Sequence, residues 1–264
     1  MSDARSTGDR IQRSPGFEKA ARAGHLGSGV VHLLIGYITV RLALGGGGNA
    51  DQSGALGELA SRPGGAVVLW IAVVAFVALA AWRAVEASVG KKSDADSGGV
   101  TDRLKAASLA VVYLAFAWSA FTFASGSGKS SGQQNAGITA RLMESGIGKV
   151  VLIVAAVVIV AVGIYHVYKG VSTNFTDDLQ GGVGRPVRAI GVAGYSAKGL
   201  VLTGAGVLVA VAVLTADPSK ATGLDGALKT LGSQPFGQVL LVLAGLGLAL
   251  YGVYAFVLAR HAKM

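Results

Sequence analysis

Residues 53–70 read SGALGELASRPGGAVVLW, and the same pattern returns twice in the chain. Residues 136–153 read AGITARLMESGIGKVVLI, and residues 222–243 read TGLDGALKTLGSQPFGQVLLVL. In each copy a glycine (Gly54, Gly137, Gly223) is followed five positions later by a leucine (Leu59, Leu142, Leu228). A second glycine (Gly65, Gly148, Gly237) then opens a long apolar run, and seventeen residues beyond it stands an aromatic (Trp82, Tyr165, Tyr254). The third copy, read this way, carries about three extra residues. The first part of each copy predicts a short amphipathic helix or turn lying at a membrane interface. The second glycine lets the chain turn sharply into the membrane, and the aromatic falls near the opposite interface, where amphipathic rings are favoured. Three matches, each preceded by another apolar span, read as a triplicated unit.

Hydropathy gives the same count. Six runs are long enough to cross a hydrocarbon core of about 30 Å. They are residues 26–44, 66–87, 104–124, 150–168, 192–216 and 236–259, the last without a charged residue. The runs are too uniformly apolar for helices on a soluble core, and they lack the alternation a membrane barrel needs. Helix is the natural state even for their Val-rich parts, because backbone groups in lipid must be satisfied within the segment. Composition agrees: 52% of residues are apolar and only 14% charged, with 40 glycines and 5 prolines. Cysteine is absent, which excludes disulfides and thiolate chemistry.

The net charge of +9 has a topological explanation. Fourteen basic residues fall on one side of the spans: Arg5, Arg10, Arg13, Lys19, Arg22, Lys91, Lys92, Arg103, Lys105, Lys169, Arg185, Arg188, Arg260 and Lys263. Six fall on the other: Arg62, Lys129, Arg141, Lys149, Lys220 and Lys229. This bias predicts a multi-pass protein of the plasma membrane with both termini in the cytoplasm. No interleaved aromatics or recognition helix accompany the charge, so nucleic acid is not an expected partner. The first span has no convincing cleavage site after it and is expected to be retained.

The expected fold is all-α and integral to the membrane, with six transmembrane helices as three tandem two-helix repeats. The boundaries are a basic tail (1–22), repeat 1 (23–90), a linker (91–102), repeat 2 (103–172), a second linker (173–188) and repeat 3 (189–260). An even number of spans per unit makes the units parallel, which suits a pseudo-threefold arrangement about the membrane normal. The first helices of the units align more loosely. His25, Gly29, His32 and Gly36 match Ala106, Ala110, Tyr113 and Ala117, and then Tyr195, Gly199, Leu202 and Gly206. Steps of four, three and four keep these on one face, where Gly29, Gly36, Gly199 and Gly206 would allow close helix packing.

On these residues the chain resembles domain-of-unknown-function family 1206, membrane proteins found mostly in actinobacteria that carry three copies of a two-helix unit. The resemblance covers about residues 20–260 and rests on the G-x-x-x-x-L, Gly and aromatic pattern. It implies the six-span architecture and an actinobacterial type of source. It implies no activity.

Candidate chemistry is sparse. ASGSGKSSG at 124–132 has a GK[ST] ending, but the P-loop glycine five places before Gly128 is Phe123 and no strand precedes it. Ser196 and Lys198 of GYSAKG lie two apart and point to different sides of a helix, so they form no nucleophile–base pair. Lys198 reads as a snorkelling residue at the cytoplasmic end of span five. Residues 181–184 (GGVG) read as a flexible loop, and Asp177 and Asp178 as a solvated turn. No catalytic residue, metal site or cofactor is expected.

The polar residues expected within the membrane are His32, Arg83, Glu86, Tyr113, His166 and Lys198. Arg83 and Glu86 are placed to pair on one face, and His32 lies on the Gly29/Gly36 face. Arg41, near the outer end of span one, is expected to snorkel outward or line a vestibule. The expected function is a non-catalytic membrane component whose partners are the lipid bilayer, itself or other membrane proteins. The alternative is a small-solute or ion transporter or channel with a path between the repeats.

Overall fold

The computed structural model describes residues 15–89, 100–181 and 184–262. Arg5, Arg10, Arg13, Lys91, Lys92, Lys263 and the middle of the 181–184 cluster lie outside the described residues. Among the described residues there are nine α-helices and no strand. The helices are α1 (Pro15–Ala43), α2 (Gln52–Ala60), α3 (Gly65–Val89), α4 (Val100–Ala124) and α5 (Ser131–Met143). They continue with α6 (Gly146–Val171), α7 (Arg185–Leu214), α8 (Gly223–Gly232) and α9 (Gly237–His261). Six of them, α1, α3, α4, α6, α7 and α9, are long and apolar enough to span a membrane. The short helices α2, α5 and α8 stand before the second span of each repeat.

The local signals repeat with the unit. Each first span stops at a left-handed residue: Gly45 (φ 84°), Gly126 (φ 76°) and Ala216 (φ 52°). The next amide then bonds back five residues, Gly46 to Arg41, Ser127 to Thr122 and Asp217 to Ala212, at 2.8–2.9 Å. This closure satisfies the last orphan carbonyls of a helix. The glycine that opens each second span is required by crowding. A Cβ on Gly65 or Gly148 would collide with the carbonyl of Leu59 or Leu142, and one on Gly237 with that of Gly232.

This turn corrects the repeat register of the third copy. The amide of Arg62 bonds to Leu59 O and that of Gly65 to Arg62 O; likewise Gln234 bonds to Leu231 O and Gly237 to Gln234 O. Leu231, not Leu228, is therefore the counterpart of Leu59 and Leu142. The matching first glycine is Gly226, not Gly223, and the copies align without an insertion. Leu228 instead matches Leu56, and both are buried. The two alignments compete in sequence because Gly223–Leu228 and Gly226–Leu231 have the same five-residue spacing.

The chain forms two compact units. In the unit of residues 1–27 and 59–128, α3 packs lengthwise on α4, with Ala80, Ala106, Ala110, Ala117 and Ala120 buried. In the unit of residues 28–58 and 129–263, α6 packs on α7 and α1 packs on α9. The close contacts thus join the second span of one repeat to the first span of another. At Gly163 and Gly199, and again at Gly36 and Gly245, the backbones meet directly. A Cβ on Gly36 would lie 2.6 Å from Gly245 O, and one on Gly245 would lie 2.9 Å from Gly36 O. Residues Gly29, Gly36 and Gly252, Gly245 run in opposite order, so α1 and α9 are antiparallel. The α7·α9 contact within repeat 3 is made where Gly194 meets the backbone of Tyr251.

Candidate functional site

Two polar groupings lie inside the larger unit. The first is where the N-termini of α2, α5 and α8 converge. Asp51 precedes α2 and accepts hydrogen bonds at Oδ1 from Ser53 Oγ (2.5 Å) and Gly54 N (2.9 Å). Ser53 Oγ in turn accepts the amide of Ser131, which begins α5, at 2.9 Å. Asp225, in the first turn of α8, accepts the amide of Ala50 at 2.8 Å and the Lys229 ammonium at 2.7 Å. Thr222 and Gly223 of repeat 3 lie against Gly132 and Asn135 of repeat 2. The three short helices therefore close a ring. Their N-termini carry partial positive charge, which the buried carboxylates of Asp51 and Asp225 offset. In the corrected register Ser53 and Asp225 occupy one repeat position, and repeat 2 has Ala136 there. Asp51 Oδ2 and Arg41 Nε are shielded from solvent and meet no hydrogen-bond partner among the described residues.

The second grouping lies between the spans. His32 of α1 packs its ring on Tyr251 of α9, with centroids 4.6 Å apart. The Lys198 ammonium of α7 stands 4.0 Å from the centroid of the same Tyr251 ring. Tyr195 of α7 meets Tyr251 edge-on at 5.2 Å and His166 of α6 at 5.8 Å. Both imidazoles point Nδ1 at a carbonyl four residues back, Ser28 O and Val162 O, each at 2.8 Å. A carbonyl only accepts, so Nδ1 carries the proton in each ring and Nε2 is left for other partners.

One end of this grouping is closed by the loop after α6. There Phe175, fully buried, stacks on Tyr195 at 5.4 Å and fills the space opposite Gly191. Tyr254 donates its hydroxyl to Phe175 O at 2.9 Å. The amide of Gln180 bonds to His261 O at 2.7 Å, tying the loop to the end of α9. Asp178, read from the sequence as part of a solvated turn, holds the Lys169 ammonium at 2.6 Å.

The sequence-predicted residues thus divide. His32, His166 and Lys198 come together around Tyr195 and Tyr251. Lys198 does not run to a helix end: it is thirteen residues into α7, about 20 Å at 1.5 Å per residue, and it rests on an aromatic face. Arg83 and Glu86 pair at 2.5 Å in the other unit, where Glu86 is buried. Tyr113 stacks on Phe76 there, with centroids 6.3 Å apart. Gly29, Gly36, Gly199 and Gly206 all sit at close helix contacts. Arg41 stands 3.5 Å from Glu58, its side chain lying under the loop of Gly46 and Gly48. The seventeenth-position aromatics are not equivalent: Trp82 and Tyr254 are buried, Tyr165 exposed.

Asp51, Ser53, Asp225, Tyr195 and Tyr251 were not singled out by sequence reasoning. The register slip in the third copy concealed that Ser53 and Asp225 share a position. The tyrosines read as ordinary span residues, since nothing local marks the helices they meet.

The model of a family described as Domain of Unknown Function (DUF1206) matches the chain three times, at residues 23–90, 104–173 and 193–262. A relative from Bacillus subtilis (strain 168), the uncharacterized protein YxxB, is 28% identical over 250 residues, covering 92% of this chain and 90% of its own. No solved structure matches the chain. With three family matches in tandem, each containing two of the six spanning helices and one short helix between them, the chain is a multi-pass membrane protein that belongs to the DUF1206 family.

Proposed function

We propose that the protein is a non-catalytic component of the plasma membrane that packs with lipids, with itself or with other membrane proteins. The observation that carries this reading is the direct backbone contact at Gly36/Gly245 and Gly163/Gly199, which leaves no width for a solute between α1 and α9 or between α6 and α7. Close glycine contacts of this kind serve helix association in lipid, where no hydrophobic force drives helices together. Among the described residues no three His, Asp or Glu side chains converge with metal-holding spacing. The fourteen-to-six distribution of basic residues supports cytoplasmic termini.

A second reading, a conduit for ions or small solutes, draws on one observation: Lys198, His32 and His166 gather within the spans, where ionisable groups are costly. Flux assays on proteoliposomes, comparing the protein with His32→Ala against a panel of ions and small metabolites, separate the two. The packing reading expects no flux above protein-free vesicles. Flux that His32→Ala abolishes overturns it in favour of the conduit. In-cell photo-crosslinking from the exposed positions Val74 and Val157 then identifies whether lipid, a second copy or another protein covers those faces.

A further inference from the structure

The grouping around Tyr251 carries one sign of charge. Lys198 is half-buried in the middle of α7, and its ammonium contact is the Tyr251 ring. Among the described residues no carboxylate pairs with it. Asp178 is taken by Lys169, whose own ammonium stands 5.6 Å from the Tyr195 ring. Around the same rings stand the imidazoles of His32 and His166, whose Nδ1–H is given to a carbonyl, and the hydroxyls of Tyr195 and Tyr251, which donate readily.

An ammonium held among apolar helices is costly unless an opposite charge compensates it, and an aromatic face compensates only part of that. The protein supplies an aromatic face and neutral donors, so the missing element is an anion. Phosphate suits this set. Lysine binds it as a point charge, and the two tyrosine hydroxyls can each donate to one of its several oxygens.

We propose that Lys198, with the hydroxyls of Tyr195 and Tyr251, forms an intramembrane site for a phosphate group, carried by an anionic phospholipid or by a soluble phosphate. The site goes beyond the packing reading and exists whether or not the protein conducts a solute.

The test uses the full chain, wild type beside Lys198→Met, Lys198→Arg and, as a control at an exposed lysine, Lys149→Met. Each is reconstituted in vesicles of phosphatidylcholine with phosphatidylglycerol, extracted, and examined for retained lipid by native mass spectrometry. Inorganic phosphate binding is measured in parallel by calorimetry in neutral detergent.

A lipid source predicts retention of phosphatidylglycerol over phosphatidylcholine that drops about thirtyfold or more in Lys198→Met, the scale of losing one partner of a buried charge pair. Lys198→Arg and Lys149→Met retain it. A soluble source predicts phosphate binding with the same dependence on Lys198 and no lipid preference. Equal behaviour of wild type and Lys198→Met toward both probes overturns the proposal. If Lys198→Met fails to fold, Lys198→Arg and the double variant Tyr195→Phe/Tyr251→Phe take its place. The proposal then requires wild-type binding that Lys198→Arg keeps and the double variant weakens, and wild type that binds neither probe refutes it.

Discussion

Gly163 and Gly199 meet backbone to backbone. A Cβ on Gly199 would lie 2.5 Å from Gly163 O, and one on Gly163 would lie 2.8 Å from Gly199 O. Neither obstacle is a flexible side-chain tip, so α6 and α7 must separate before any larger residue fits.

Gly199→Val is therefore expected to destabilise the protein by about 1–3 kcal/mol, the range for overpacking a filled interface. Gly137 is the internal contrast: it lies within α5 and a Cβ there meets nothing within 4 Å. Gly137→Ala should stabilise by roughly 0.5–1 kcal/mol through helix propensity. Thermal melts in detergent would read both, and equal effects at the two sites would contradict the close contact.

Two left-handed positions carry side chains where a sister repeat carries glycine. Ala216 matches the caps Gly45 and Gly126, and Phe236 (φ 61°, largely exposed) matches Gly64 (φ 78°). Left-handed backbone costs a side-chain residue about 1–2 kcal/mol. Ala216→Gly is expected to stabilise the protein and Gly64→Ala to destabilise it, each by about 1–2 kcal/mol, read as opposite shifts of the melting temperature. Opposite signs would show that these turns relax elsewhere.

At the ring of short helices, Asp225→Ala removes the acceptor of the buried Ala50 amide. The expected cost is about 1–3 kcal/mol, that of leaving a buried donor unsatisfied. Ser53→Ala should act likewise on Ser131, and hydrogen exchange at the Ala50 and Ser131 amides would report each loss separately.

Tyr254→Phe deletes the bond to Phe175 O and should cost about 1 kcal/mol. Tyr165→Phe, at the same repeat position but exposed, should cost nothing measurable in the same melt. Limited proteolysis of the loop after α6 is expected to speed up in Tyr254→Phe alone.

Much of the fold is legible in local pattern. The spans show as apolar runs because bilayer thickness imposes a length on them. The glycines at 65, 148 and 237 show because a sharp turn between a short and a long helix admits no Cβ. The register of the third copy is ambiguous in sequence because a Gly-to-Leu spacing occurs twice in it, and only the turn hydrogen bonds accepted by Leu231 O and Gln234 O choose between them. The basic and imidazole members of the grouping around Tyr251 were visible as charges inside apolar runs. Its tyrosines were not, since an aromatic in a span carries no sign of which helix it will meet.

The sequence by itself determined that this is a membrane protein of three tandem helix pairs, because hydrophobic length and repeat spacing are properties of the chain taken segment by segment. Tertiary structure alone decided which helices pair, so that the second span of one repeat embraces the first span of another at Gly163/Gly199 and Gly245/Gly36. It alone brought Lys198, His32 and His166 to one pair of tyrosines, and Asp51, Ser53 and Asp225 to one ring of helix ends. The physical reason is that backbone close approach and polar satisfaction are relations between segments far apart in the chain. A glycine or an aspartate shows what it permits or needs, and only the packed partner shows where that is met.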